Sequence, residues 1–318
     1  VKKYLTWDDF EVVPKLAHDN GMKANLYVSL FDEGWPLPSR EEREISYHNN
    51  MHGQHVSWQS SFSHEHPEYA VLDRNGSTRQ WGVLCLAYEE VRKYFVKLYL
   101  GLLDEYDFDG LFVCFRSQSK PAEFADQFNF NEPVRRDFQE IYGKDILKDD
   151  FNLQDWRDLV GKYITDFLRV LKNELRKKNR SLSIGLARGD VIGPPLGNTT
   201  LQWREWIQDG LVDNLIINQS SCQCPSIHHK LWPMHNGSGY VQNYLDSCNL
   251  PPIEKHLNES YFPIVSKSSA NLYVARQWNQ RSEKEEMELL NNPSVSGLVF
   301  SSFRFDNLGP LARNNWVA

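Results

Sequence analysis

One unit recurs along this chain and limits its possible folds more than any other feature: a polar-capped amphipathic helix, a glycine, a short β-branched or aromatic run, then a long loop. From Thr6 to Asn20, Thr6 stands as a cap with Asp9 three residues on, Phe10, Val13, Leu16 and Ala17 recur at helical spacing, and Gly21 is the stop. A strand over Ala24 to Leu30 follows. Tyr88 to Tyr106 places Val91, Tyr94, Phe95, Leu98, Leu102 and Leu103 on one helical face, and the nearly all-apolar Gly110 to Phe115 reads as a strand covered on both sides. The unit returns as a long helix over Gln154 to Lys178 and a strand over Leu182 to Ala187, then as Thr200 to Asp209 and Val212 to Ile217. Asn271 to Arg276 is a further strand. Ser282 with Glu285 makes a capping box opening a helix to Leu290, and Gly297 to Ser302 is the last strand.

Six parallel strands with intervening helices fit an open doubly wound sheet or most of a (β/α)8 barrel. No G-x-G-x-x-G turn follows any strand, and the loops after the strands are much longer than those before them and carry the His, Arg, amide and aromatic residues. That asymmetry favours an α/β fold of the (β/α)8 TIM-barrel type, with the first two strands lacking in this chain. The expected organisation is one barrel domain over residues 1–318, with long loops at 31–86, 116–132 and 218–262, the first ending in a hairpin across Tyr69 to Leu86. The chain opens at Val1 without an initiator Met, as a mature or excised piece of a longer protein would.

Charge and composition exclude some functions. A net charge of -7 lacks the positive surface that duplex nucleic acid requires. The longest basic run, Arg176, Lys177, Lys178 and Arg180, closes a helix where cations suit the dipole. No stretch approaches 18 apolar residues, so neither a membrane span nor an uncleaved signal is expected. Five cysteines in a chain this long do not form a disulfide framework, though one bond stays open, and they leave the compartment undecided.

The residues fit for chemistry gather after the strands. The segment 116–133 holds Arg116, Glu123, Asp126 and Glu132. Carboxylates at a barrel mouth are the machinery of glycoside hydrolysis, one protonating the leaving oxygen and another attacking or activating water. Against this, Asn131 is placed to cap the helix from Pro133 to Tyr142, where Glu132 merely suits the dipole. Arg188 and Asp190 end the next strand, and Asp190 is the best second carboxylate, its alternative being a turn residue ahead of Gly193-Pro194-Pro195. The candidate catalytic set is therefore Glu132, Asp190 and Asp126. The candidate sugar-holding set is Arg116, Arg188, Gln219, Tyr240, Asn243, Trp278, His52 and Trp81, with Asp306 facing the same mouth. Cys222, Cys224, His228 and His229 invite a zinc reading, but the spacing is not a familiar one, so a polar and aromatic substrate wall is preferred and no metal or cofactor is expected. Cys114, inside an apolar strand, reads as core or barrel lining.

Several motifs resemble the family-10-like glycosylhydrolases, an uncharacterised glycosidase-like group of (β/α)8 barrels. They are His18 to Lys23 leading into a strand, Tyr106-Asp107-Phe108-Asp109-Gly110, Phe130-Asn131-Glu132-Pro133 with Tyr142 to Ile146, Trp156-Arg157, and Gly210-Leu211-Val212-Asp213, together spanning about residues 15 to 220. The resemblance implies a barrel, polysaccharide hydrolysis with a carbohydrate substrate, and an exported protein, secreted or periplasmic. In one place the chain departs from the pattern: such barrels commonly carry an Asp in the Asp-Gly strand near where Cys114 stands. A non-catalytic carbohydrate-binding barrel is accordingly the first alternative, and a metal-dependent hydrolase the second.

Overall fold

The computed structural model describes residues 8–34, 59–115, 126–186, 188–193, 197–218, 251–276 and 282–300. In chain order the elements are α1 (Asp9–Asp19), β1 (Asn25–Ser29), α2 (Ser61–Glu65), β2 (Ala70–Leu72), β3 (Arg79–Leu84), α3 (Glu89–Glu105) and β4 (Gly110–Cys114). Then come α4 (Glu132–Tyr142), α5 (Leu153–Lys177), β5 (Ser181–Gly185), β6 (Val191–Gly193), β7 (Gly197–Thr200), α6 (Trp203–Gln208) and β8 (Asn214–Ile217). The last are α7 (Ile253–His256), a π-helical turn over Leu257–Tyr261, α8 (Phe262–Val265), β9 (Asn271–Arg276), α9 (Glu283–Leu290) and β10 (Gly297–Phe300).

Six strands form one parallel sheet in the order β1-β4-β5-β8-β9-β10, which never reverses. That order decides between the two architectures. A doubly wound sheet reverses its strand order and so receives helices on both faces, whereas right-handed crossovers that always step the same way put every helix on one face. Alternation along the strands agrees: Leu26, Leu111, Val113, Leu182, Ile184, Leu215, Ile217, Leu272 and Val274 are buried in the core, while on the opposite face Tyr27 is 48% exposed. The arrangement is that of a barrel wall. Closure into eight strands is not seen among the described residues.

The face away from the helices carries a polar row: Asn271 Nδ2 donates to Asn214 Oδ1 at 3.0 Å, and Asn214 Nδ2 donates to Ser183 Oγ at 2.9 Å. The next row toward the strand C-termini is Ser29, Cys114, Gly185, Ile216, Tyr273 and Gly297, paired strand by strand. It contains no carboxylate.

At the strand N-termini one device recurs. The side chain just ahead of a strand accepts an N–H at the start of a neighbouring strand, from the residue before it or from its second residue: Asp109 from Ala24 (2.7 Å), Asp213 from Leu182 (2.6 Å), and Ser296 Oγ from Leu272 (3.2 Å). Each staple satisfies a backbone donor where the ladder begins and fixes the register. His18 Nε2 lies 2.9 Å from Asp109 Oδ2, and the buried Lys172 pairs with Asp213. The Asp-Gly and Val-Asp motifs are thus structural parts of this end. Gly110 is needed there for space, because a Cβ would fall 2.2 Å from Ser181 Oγ and 2.4 Å from Ser181 O.

The core of the helical layer is the single apolar stripe of α5, where Trp156, Ile164, Phe167, Leu168, Leu171 and Leu175 are fully buried. Burying each of these contributes roughly 1.5–3 kcal/mol. Asn152 caps α5 by accepting from Gln154 N at 3.0 Å, and Asp8, rather than Thr6, caps α1 by accepting from Phe10 N at 3.0 Å. α4 ends on Gly143 at φ 69°, the left-handed stop expected there. Its start differs from expectation. Asn131 makes no cap bond; its side chain bridges to β2 instead, accepting from Leu72 N (3.0 Å) and donating to Ala70 O (3.0 Å). The β2–β3 hairpin forms as expected across Tyr69 to Leu86. Three other features have no counterpart in the sequence expectations: α2 inside the expected 31–86 loop, the β6–β7 hairpin, and the helical run 253–265 where a loop to 262 was expected.

Candidate functional site

Beyond the C-terminal end of β5, the chain turns through Arg188, Gly189 (φ 106°) and Asp190 into the β6–β7 hairpin. The turn is held from below by α6 and from the side by the 253–265 run. Asp190 Oδ1 accepts from Trp203 Nε1 and from Arg204 Nη1, both at 2.8 Å, and its side chain remains 56% exposed. The Arg204 guanidinium lies over the Trp203 ring at 4.4 Å, and the other side of this arrangement is a Trp203–Tyr261 stack at 4.5 Å. Trp203 and Tyr261 are buried, so they position Asp190 and Arg204 rather than meet a ligand. Gly189 N donates to the Tyr261 hydroxyl at 3.3 Å.

Arg188 donates from Nη1 to Pro251 O at 2.8 Å, while its buried Nε has no acceptor among the described residues. His256 is 5.1 Å from the Tyr261 ring, and its buried Nδ1 is equally without a partner among them. Burial lowers the Arg188 pKa from its usual value and, with Arg188 nearby, lowers that of His256, leaving its imidazole neutral near pH 7. Burial pushes the Tyr261 hydroxyl up to about 12. The result is one accessible carboxylate with an exposed guanidinium beside it, over a buried, polar and incompletely bonded floor.

The other described candidates have partners and surroundings of their own. Asp126, at φ 63°, is 10% exposed and takes two hydrogen bonds from Arg157, to Oδ1 at 3.2 Å and to Oδ2 at 2.5 Å. Glu132 opens α4 on its exposed side, 3.9 Å from Arg136, in a groove of about 450 Å³ between helices that Tyr88, Lys162 and Asp166 also line. Trp81 sits half-buried on β3, whose Gly82 O accepts from Glu33 N at 2.9 Å. Cys114 is fully buried at the end of β4, in register with Ser29 and Gly185. Arg116, Gln219, Tyr240, Asn243, Trp278, His52, Glu123 and Asp306 lie outside the described residues, as do Cys222, Cys224, His228 and His229. Among the described residues no group of three or more His, Cys, Asp or Glu could hold a metal ion, and no helix is long and apolar enough to cross a membrane.

Sequence reasoning missed Trp203, Arg204, His256 and Tyr261. A signal for the last two exists in Pro251-Pro252 followed by Ile253, Leu257, Tyr261 and Val265, four residues apart. It also missed Glu33, a buried carboxylate past β1 that accepts from Tyr94 on α3 at 2.9 Å. Burial raises the Glu33 pKa against the lowering effect of its bonds to Ser60 and Tyr94. Tyr94 itself stacks on Phe62 at 4.0 Å, so Glu33, buried and bonded to Tyr94, reads as a structural group.

Among solved structures, the chain is similar to the PgaB (BpsB) glycoside hydrolase domain from Bordetella bronchiseptica, with TM-score 0.53 and 12% identity over 98% of this chain and 79% of that one. A noncanonic maltogenic alpha-amylase AmyB from Thermotoga neapolitana matches at TM-score 0.44 and 11% identity, covering 95% of this chain and 51% of that chain. In sequence, 67 residues are 34% identical to Laccase-2 of Podospora anserina, a match spanning 21% of this chain and 10% of the laccase. No protein-family model matches the chain. The fold is therefore glycosidase-like: a parallel, singly wound barrel wall shared with a glycoside hydrolase domain.

Proposed function

We propose that this chain is a glycoside hydrolase acting on a polysaccharide or oligosaccharide at the C-terminal end of its sheet. The observation that carries the reading is Asp190: an accessible carboxylate held by Trp203 and Arg204 at a strand C-terminal end, where such folds place their chemistry. Two donors on one oxygen suit a base or nucleophile rather than a proton donor. Glu132 or Asp126 is then the proposed acid. Of these, Asp126 is committed to Arg157 in two bonds, which suits charge balance better than proton donation, while Glu132 is open to solvent. Arg188, Trp81, Arg116, Gln219, Tyr240, Asn243, Trp278 and His52 are the proposed sugar-holding residues. The family-10-like resemblance and export from the cell belong to the same proposal.

The test is hydrolysis of a panel of soluble polysaccharides and oligosaccharides by the wild type and by Asp190→Asn, Glu132→Gln and Asp126→Asn. A loss of about a thousandfold in kcat in the folded Asp190→Asn protein is expected, as for removal of a group engaged in bond cleavage. Unchanged turnover in that variant would overturn the assignment. A second reading, a non-catalytic carbohydrate-binding barrel, is favoured by the carboxylate-free row through Ser29, Cys114 and Gly185. It predicts retention of oligosaccharides with no cleavage.

A further inference from the structure

The N-terminal end of the sheet holds an open cavity of about 560 Å³, inside the size range of small-molecule sites. Four cationic side chains line it, Lys23, Lys172, Arg176 and Arg180, against two carboxylates, Asp109 and Asp213. The surplus of two positive charges stands on a chain whose net charge is -7. Both carboxylates already have partners: Asp109 with Ala24 N and His18, Asp213 with Leu182 N and Lys172. Apart from Lys172, the cations are less committed. Arg176 donates Nη2 to Gly210 O at 2.7 Å, Arg180 Nη2 lies 3.5 Å from Asp107, and Lys23 acts on Asp109 through its charge but makes no ion pair within 4 Å among the described residues. A guanidinium carries five N–H donors, so most of the donor capacity here is unused by those contacts.

Helix-dipole complementation explains only part of this basic run. Lys177 and Lys178 satisfy it at the surface, paired with Glu174 and Asp104, whereas Arg176 and Arg180 turn to the cavity. Paired guanidinium groups with a flanking ammonium match the geometry of a tetrahedral oxyanion. We propose that this cavity binds the phosphate or sulfate group of a small molecule through Arg176, Arg180 and Lys23. The site is at the opposite end of the sheet from Asp190, and the proposal does not rest on the glycosidase reading.

The experiment is calorimetric titration of the whole chain with inorganic phosphate, inorganic sulfate and glucose 6-phosphate, at an ionic strength held constant with sodium chloride. Saturable binding of at least one of the three is expected, weakened about tenfold or more in Arg176→Gln/Arg180→Gln and unchanged in Lys97→Gln, an exposed cation away from the cavity. Tighter binding of glucose 6-phosphate than of phosphate assigns the site to a phosphorylated sugar; equal binding assigns it to the free oxyanion. If the double variant fails to fold, Lys23→Gln, which removes no ion pair among the described residues, must weaken binding in its place. Absence of saturable binding, or binding unaltered by these substitutions, overturns the proposal.

Discussion

The two ends of the parallel sheet treat their polar groups in opposite ways. At the N-terminal end Asp109, Asp213 and Ser296 each accept a strand N–H, and the first two also bind His18 and Lys172. At the C-terminal end Arg188 Nε and His256 Nδ1 are buried with no partner among the described residues, each at a cost of roughly 1–3 kcal/mol. At the N-terminal end the groups that flank the strands serve register, and spare donors lie only on the cations of the cavity outside them; at the C-terminal end buried polar groups themselves carry capacity that register does not use, which suits a ligand-facing site.

Substitutions at the two ends should therefore fail differently. The largest expected effect is the roughly thousandfold fall in kcat of Asp190→Asn, about 4 kcal/mol of transition-state stabilisation, with a urea midpoint close to that of the wild type because Asp190 is more than half exposed. A large fall in the midpoint would make Asp190 a staple like those at the other end and dissolve the contrast. Next is Asp213→Ala, which strands the buried Lys172 ammonium and frees Leu182 N. It should lower the unfolding free energy by about 3 kcal/mol, read by urea denaturation, with Lys172→Met/Asp213→Leu recovering part of the loss. Gly110→Ala comes third, at about 2 kcal/mol, since its Cβ must displace backbone at Ser181; the activity of the folded fraction should be retained.

The sheet was largely legible in the sequence, because a covered strand is apolar throughout; the Asp109-Gly110 and Val212-Asp213 motifs could be seen ahead of strands, but not the bonds their carboxylates make to neighbouring strands. Five of the six strands lie within the spans expected for them, and β5 starts one residue earlier. The C-terminal end was less legible. Asp190 could be named from its place after a strand, but its partner Trp203 comes from an element 13 positions away, and Tyr261, which stacks on Trp203 and accepts from Gly189 N, from one 72 positions beyond Gly189; no local pattern links them. Asn131 shows the same limit from the other side. Its position is that of a helix cap, yet tertiary bonding to Ala70 and Leu72, 61 and 59 residues back, outweighed the local bond.

The smallest predicted effect separates the two ends by pH. His256 has its pKa lowered from 6.5 first by burial and then by Arg188; Arg204 acts the same way, and Asp190 and Glu259 oppose it. A base whose folded pKa is depressed binds its proton more readily when unfolded, so its contribution is complete above pH 6.5 and is lost as pH falls from 6.5 toward the folded value. For Asp109, burial alone would raise the carboxyl, but the bonds from His18 and Ala24 N hold it below 3.8, so its contribution persists through that range and fades only as pH falls below 3.8. Glu33, raised above 4.5 by burial, changes with the opposite sign but is common to every variant and cancels in differences. Urea midpoints measured from pH 7.5 to about pH 3 should therefore show His256→Gln converging with the wild type as pH drops below 6.5, and Asp109→Asn converging only near the acid limit. If His256→Gln instead runs parallel to the wild type between pH 7 and about pH 5, the imidazole is not held neutral by its buried site, and the electrostatic difference between the two ends disappears.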